Sequence, residues 1–447
     1  MAKDLPHVVV LGAGFAGLTF CQKFRAPARV TVVDQQNHHL FQPLLYQVAT
    51  AGLSATEIAV PIRSVLAKKK LTEVIMDQVT AIDLGAKRVT LTQQTLDYDY
   101  LVIAIGGVTH YFGHHEWARH ALGLKTLDDA LAIRQRILCS FERAETESDP
   151  AARRRLMTIV VIGGGPTGVE LAGTCAELTR RVFKRDFRHI DPSQARVVLL
   201  EAGPRILPTY PPDLSQRAKE QLQELGVEVW TDAPARHIEA GRVHVDAVVL
   251  ESENILWGGG IIAAPLTRRL GVKLARDGRI VTEPDLSIPG HPEAFAVGDV
   301  AEAMDARSGQ PVPGVAPAAM QMGKHVAKLI AREIRSGPRP PHERPAFRYH
   351  DKGPMATIGR SRAVAWIYYK VKLSGFIAWL TWLLVHLVFL IGFRNKAVVL
   401  LEWLYAYVTF RRGSRIIYAR DMEAGRADRA TRQEAEVSVP PQKTTAP

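Results

Sequence analysis

Two glycine runs, Gly12-Ala13-Gly14-Phe15-Ala16-Gly17 and Gly163-Gly164-Gly165-Pro166-Thr167-Gly168, have the spacing that lets a backbone approach a pyrophosphate. In each G-x-G-x-x-G the first glycine permits a tight turn, the second clears room for the phosphates, and the third lets a helix pack closely on a strand. The helix that follows offers free N–H groups and the positive end of its dipole to the anion. Each run also has an acid. Asp34 stands about 20 residues past the first, where a carboxylate accepts from ribose hydroxyls. Glu201 holds the matching place after the second, reached later because a basic, helix-like stretch, 179–187, intervenes. A carboxylate there accepts from a free 2′-hydroxyl and repels a 2′-phosphate, so NADH is favoured over NADPH. Arg205 is the competing signal, because an arginine so close could accept that phosphate.

These residues need strands that end where the chemistry begins. Val8-Val9-Val10-Leu11 and Ile159-Val160-Val161-Ile162 are apolar runs that break directly into the glycines, the pattern of buried parallel strands. Val30-Thr31-Val32-Val33 leads into Asp34, and Val197-Val198-Leu199-Leu200 into Glu201. Two more strands end in glycine: Tyr100-Leu101-Val102-Ile103 runs on to Gly106-Gly107, and Ala294-Phe295-Ala296-Val297 runs into Gly298-Asp299. The two fingerprints alone allow two nicotinamides, or one flavin and one nicotinamide. The late Gly298-Asp299 is similar to flavoprotein reductases of the glutathione-reductase type, in which such an aspartate reaches the ribityl and pyrophosphate region of FAD. By that resemblance Gly106 marks the crossing out of an FAD domain, and Asp299 closes that domain after an interruption. The expected fold is α/β, with two Rossmann-like dinucleotide-binding domains. The FAD domain is split into 1–112 and 276–340, and the NADH domain, 113–275, is inserted between them. A helical membrane-associating region, 341–420, and a polar tail, 421–447, expected to be disordered, complete the chain.

Composition narrows the function. The 447 residues carry a net charge of +12, with three cysteines, Cys21, Cys139 and Cys175, in no C-x-x-C spacing. That spacing argues against a redox-disulfide enzyme and fits a reducing compartment. No metal-ligand pattern is present, and the first strand starts too early for a signal peptide to be expected. The basic residues Arg332, Arg335, Arg339, Arg344, Arg348, Lys352, Arg360, Arg362, Lys370 and Lys372 precede an apolar segment, 375–391. A break at 392–396, a second apolar segment, 397–410, and Arg411, Arg412 and Arg415 follow. Cations flanking segments rich in Trp and Tyr exclude nucleic acid as the partner and fit an anionic phospholipid surface. The first segment is near the lower limit for a span, roughly 17 residues, so two helices lying in one leaflet are expected, with Trp403, Tyr405 and Tyr407 at the interface. A hairpin buried in a homodimer interface is the alternative.

An enzyme of FAD and NADH at a membrane, without redox cysteines, points to a quinone as acceptor. The chain resembles the bacterial type II NADH:quinone oxidoreductases, the single-subunit respiratory enzymes that pump no protons. The resemblance runs to about residue 420 and rests on Phe41-Gln42-Pro43-Leu44-Leu45-Tyr46-Gln47-Val48-Ala49-Thr50, on Gly163 through Glu170, on Glu201-Ala202-Gly203-Pro204-Arg205, on Val297-Gly298-Asp299 and on the apolar hairpin. It implies non-covalent FAD contacted by Gln47, Phe41, Pro43 and Tyr46, NADH as substrate, and Glu170 as a proton relay. It also implies a quinone site at the family's A-Q-x-A-x-Q motif, here Ala316-Pro317-Ala318-Ala319-Met320-Gln321. Gln321 keeps the second glutamine while Pro317 replaces the first, and Ala316 and Met320 complete the contacts. The implied location is the cytoplasmic face of the bacterial inner membrane, as a peripheral, monotopic enzyme. Three rivals remain at this point: a ferredoxin-reductase-like NAD(P)H-dependent FAD enzyme, which needs no hairpin; a sulfide:quinone oxidoreductase, which needs paired cysteines; and a membrane NADH sensor without turnover.

Overall fold

The computed structural model describes residues 5–391, 393–409 and 414–417. The tail 421–447, Arg411, Arg412 and the Tyr407 side chain lie outside the described part. The chain divides into two compact units. The first combines residues up to Leu40 with Ala59–Val108 and Ile261–Asp351; the second combines Phe41–Ile58, Thr109–Gly260 and the chain from Lys352 onward. The division near 108 falls just before the sequence boundary at 112, but the one near 260 falls well before that at 275, because Gly107–Thr109 pairs with Ile261–Ala263.

In the first unit a six-stranded sheet runs in the order Ser287–Ile288, His291–Ala296, Tyr100–Ile103, His7–Leu11, Arg29–Asp34, Thr72–Met76. All of its pairs are parallel except the first. His7–Leu11 lies at the centre, in register Val8 to Val30 on one side and Val8 to Tyr100 on the other, and is wholly buried. Parallel strands end on one edge, so Gly12, Asp34, Gly106 and Gly298 gather at the carboxyl edge, where such sheets take ligands. Helix Phe15–Lys23 lies against helix Ala316–Ser336, so closely that a Cβ on Gly323 would collide with the Ala16 carbonyl.

Behind that sheet sits a buried ion cluster. Arg344 donates to both oxygens of Glu333, at 2.7 and 3.0 Å, to Asp285 at 2.9 Å and to the Pro292 carbonyl at 2.7 Å. This removes Arg344 from the basic residues expected to face an anionic surface: Arg332, Arg335 and Arg348 are exposed, but Arg344 is interior.

The second unit holds a five-stranded parallel sheet in the order Ala121–Gly123, Asn254–Trp257, Thr158–Ile162, Arg196–Leu200, Val227–Trp230. Its carboxyl edge carries Gly163, Glu201 and Gly258. Helix Leu127–Thr146 begins at a capping box in which Thr126 and Asp129 satisfy each other's backbone N–H. The stretch expected to be helical at 179–187 is a π-turn, Leu178–Val182, followed by a 3-10 turn, Phe183–Arg185.

The C-terminal apolar segments are helices Gly375–Phe389 and Phe393–Thr409, of 15 and 17 residues. No helix among the described residues is long and apolar enough to cross a membrane. The second helix starts earlier than the expected break allows because its polar first turn finds partners. Asn395 donates to the Thr56 and Glu57 carbonyls at 3.3 and 2.9 Å, and Lys396 caps the preceding helix at the Val388 carbonyl, 2.7 Å. Ala378, Trp382 and Leu383 face inward, while Phe376, Leu380, Leu384 and Val388 form an outward stripe at four-residue spacing, 44–66% exposed.

Candidate active site

The first glycine loop is shaped by backbone collisions. Gly12 has φ +92°, and a Cβ there would strike the Ala104 carbonyl; a Cβ on Gly17 would strike the carbonyl of Gly12. Beside Gly14 nothing lies within 4 Å, so the space a pyrophosphate needs is open. Asp34 braces the loop: its carboxylate accepts from the Ala13 N–H at 2.6 Å and the Gln36 N–H at 2.8 Å. Burial pushes its carboxyl up, and those two N–H bonds pull the other way. From the opposite side the His39 Nδ1 bonds the Ala13 carbonyl at 2.9 Å, while its Nε2 is buried without a partner among the described residues. Gly106 takes φ +70° with open space beside it. Gly298 and Asp299 line a small cavity together with Gly314, Val315 and Met322, by the start of helix Ala316–Ser336. An open second glycine, a helix start, a spare imidazole nitrogen and an acid over a cavity make a set that fits a dinucleotide.

The second loop repeats the design. Gly163, at φ +105°, would place a Cβ 2.7 Å from the Gly258 carbonyl, Gly168 would collide with Gly163, and Gly165 is open. Glu201 accepts from the Gly164 N–H and the Gly203 N–H, both at 2.6 Å. Arg205 donates to the Pro208 carbonyl at 2.8 Å.

A third feature belongs wholly to the second unit. Beneath the helical hairpin lies a partly open cavity, walled by Trp379, Trp382, Leu383 and Trp403 and by the polar Gln47, Thr174, Glu177, Thr357 and Arg360. Trp403 is therefore not at the outer interface expected for it; its indole donates to Gln47 at 2.8 Å. Gln47 donates in turn to Tyr46 at 3.0 Å, and Tyr46 bonds the Thr357 hydroxyl at 3.0 Å. The Thr357 N–H points to Glu170 at 3.5 Å, a weak bond. Glu170, in helix Pro166–Glu177, is pushed up to about 8 by burial, opposed only by that N–H. The Tyr210 phenol is buried without a partner among the described residues, and burial, then the Glu170 charge, pushes it up. His386 stacks on Trp382 and bonds its carbonyl at 2.7 Å; burial holds it down at about 4, so it is neutral at pH 7.

The motif expected to meet quinone lies on the first unit's long helix. Gln321 is held at both ends by the His350 backbone, accepting at 2.9 Å and donating at 3.1 Å; Ala316 and Pro317 form the first turn of that helix, and Met320 is half-buried. Among the described residues no group of three or more His, Cys, Asp or Glu could hold a metal, and no disulfide joins Cys21, Cys139 and Cys175. Trp379, Trp382, Thr357 and Glu177 are not singled out by any sequence motif.

Two parallel sheets, each with a glycine loop and an acid at its carboxyl edge, define a reductase that handles two dinucleotides. Residues 6–323 match the profile described as pyridine nucleotide-disulphide oxidoreductase. Type II NADH:quinone oxidoreductase Ndh of Mycobacterium tuberculosis is 45% identical over 422 residues, 91% of this chain and 89% of that protein. NdhA of the same organism, also a type II NADH:quinone oxidoreductase, is 39% identical over 436 residues, 93% of this chain and 91% of that protein. Among solved structures, NDH2 of Plasmodium falciparum in complex with NADH has the same fold, with a TM-score of 0.84 at 19% identity, covering 93% of this chain and 100% of that one. The chain belongs to the pyridine nucleotide-disulphide oxidoreductases and, within them, to the type II NADH:quinone oxidoreductases. Its cofactor is FAD and its nucleotide substrate NADH.

Proposed function

We propose that this NADH:quinone oxidoreductase holds FAD on Gly12, Gly14, Gly17, Asp34, Gly106, Gly298 and Asp299, holds NADH on Gly163, Gly165, Gly168 and Glu201, and admits quinone to the tryptophan-walled cavity. FAD, when bound, supplies the redox chemistry, taking hydride from NADH and passing two electrons to quinone. The protein supplies position and protons. The observation that carries the quinone assignment is the cavity itself: apolar walls under an apolar hairpin, with hydroxyl, amide and carboxyl groups among them. Gln47 is committed to that cavity by its bonds to Tyr46 and Trp403. On the first unit, Gln321, with Ala316, Pro317 and Met320 around it, is the motif's own candidate for quinone contact: its amide, bonded at each end to the His350 backbone, keeps one N–H and one lone pair.

In anaerobic stopped flow, NADH should bleach the flavin absorbance and a short-chain quinone should restore it. Narrowing the cavity with Leu383→Phe should slow the second step severalfold and spare the first. Equal rates for both steps in variant and wild type would sink the cavity assignment.

Glu201 sets the nucleotide preference. Since it also braces Gly164 and Gly203, Glu201→Ala should raise the NADH KM about tenfold while removing repulsion of a 2′-phosphate, so the NADH-to-NADPH ratio of kcat/KM narrows. Equal wild-type kcat/KM for the two nucleotides would overturn this role.

The hairpin meets an anionic phospholipid surface at the cytoplasmic face of the bacterial inner membrane. A 15-residue helix is about 22 Å long, short of the roughly 30 Å hydrocarbon core, so the outward stripe lies in one leaflet. Replacing Phe376, Leu380, Leu384 and Val388 together by Ser removes apolar area without touching the inward face. Co-sedimentation with anionic vesicles should fall at least about 100-fold. If vesicle binding persists in high salt, and a wild-type homodimer instead falls to monomers, the stripe is a subunit interface.

A further inference from the structure

The hydrogen bonds behind the cavity have a direction. An indole N–H only donates, so the bond from Trp403 identifies the Gln47 atom that receives it as the oxygen. The other end of that amide is nitrogen, and it donates to the Tyr46 oxygen. Tyr46 is 3% exposed, and a buried hydroxyl hydrogen left idle is costly, so its own hydrogen goes to its remaining neighbour, Thr357 Oγ1. Thr357, now an acceptor from Tyr46, keeps its hydroxyl hydrogen for something else. Its side chain is 1% exposed and lines the cavity, and its N–H faces Glu170.

We propose that Trp403, Gln47 and Tyr46 form a one-way positioning chain that turns the Thr357 hydroxyl into the cavity as donor to a quinone carbonyl. This rests on the assignment of quinone to that cavity. The first donor lies on helix Phe393–Thr409, so the apolar hairpin sets the orientation of a group in the substrate site. Thr357 touches substrate; the other three act through it.

Thr357→Val keeps the side-chain shape and removes the donor. The KM for a short-chain quinone should rise about tenfold, the ordinary worth of one hydrogen bond, with a smaller change in kcat and with flavin bleaching by NADH as internal reference. The Kd of that quinone, read from quenching of tryptophan fluorescence, should weaken in parallel, and Thr357→Ser should restore both. Trp403→Phe and Tyr46→Phe should each raise KM severalfold in the wild-type background and leave it unchanged in the Thr357→Val background. That non-additivity separates positioning from loss of packing. Additive effects, or an unchanged KM and Kd in Thr357→Val, overturn the chain while leaving the cavity assignment intact if Leu383→Phe still slows reoxidation. If Leu383→Phe has no effect on reoxidation, the cavity assignment fails and the chain with it.

Discussion

Arg344→Ala should destabilise the first nucleotide unit by about 3–5 kcal/mol, enough to lower its melting temperature by about 10 °C. The side chains of Arg344, Glu333 and Asp285 are 3%, 2% and 1% exposed, so no water replaces the lost cation. Burial alone would lower the Arg344 pKa, but the bonds from Asp285 and Glu333 outweigh it and hold the group above its ordinary value. The guanidinium also lies 5.4 Å from the centre of the Phe295 ring, on the sheet strand beside Tyr100–Ile103. Truncation leaves two interior carboxylates without a counter-charge. Arg344→Lys should recover only part of the loss, since an ammonium cannot bridge both carboxylates with a planar fork. Thermal melts of the FAD-loaded chain check this; a loss below about 1 kcal/mol would show that the cluster is dispensable.

The parts legible in the sequence are those whose physics is local. Strand, glycine turn and helix follow one another within a few residues at Val8 to Gly17 and at Ile159 to Gly168, and the steric demands that select glycine there arise mostly from the loop and its neighbouring strand. Polar pairs formed across hundreds of residues leave no such pattern. Tyr46 meets Thr357 and Gln47 meets Trp403 at separations of 311 and 356 residues, and nothing in their spacing announces it. The same reason misplaced the start of the second hairpin helix. Asn395 and Lys396 look like a break until the carbonyls of Thr56, Glu57 and Val388 take their polar ends. Arg344 reads as one more surface cation because Asp285, its second partner, lies 59 residues away. Segment Phe41–Ile58 interrupts the first unit for a comparable reason: its side chains find their contacts in the second.

Glu170→Gln should cut turnover with quinone about 100-fold while changing the rate of flavin bleaching by NADH less than threefold. The carboxyl stands near the start of helix Pro166–Glu177, where the dipole favours the ionised form, yet burial wins and pushes it up from 4.5 to about 8. At pH 7 it therefore carries a proton, and we propose that it gives this proton to a reduced quinone and regains one from solvent. Glutamine matches its size and neutrality but has no such proton. Wild-type turnover should stay level through pH 7 and fall above about 8 as Glu170 ionises, and the variant should lack that step. Stability should move the other way. Between pH 4.5 and about 8 the folded chain binds more protons at this site than the unfolded chain, so its stability erodes as pH rises through that window. Glutamine is spared that loss. The two proteins should melt together near pH 4, and the variant should melt several degrees higher at pH 9. A carboxylate that merely caps the helix would give the reverse, an ionised group whose removal destabilises at neutral pH and leaves quinone turnover intact.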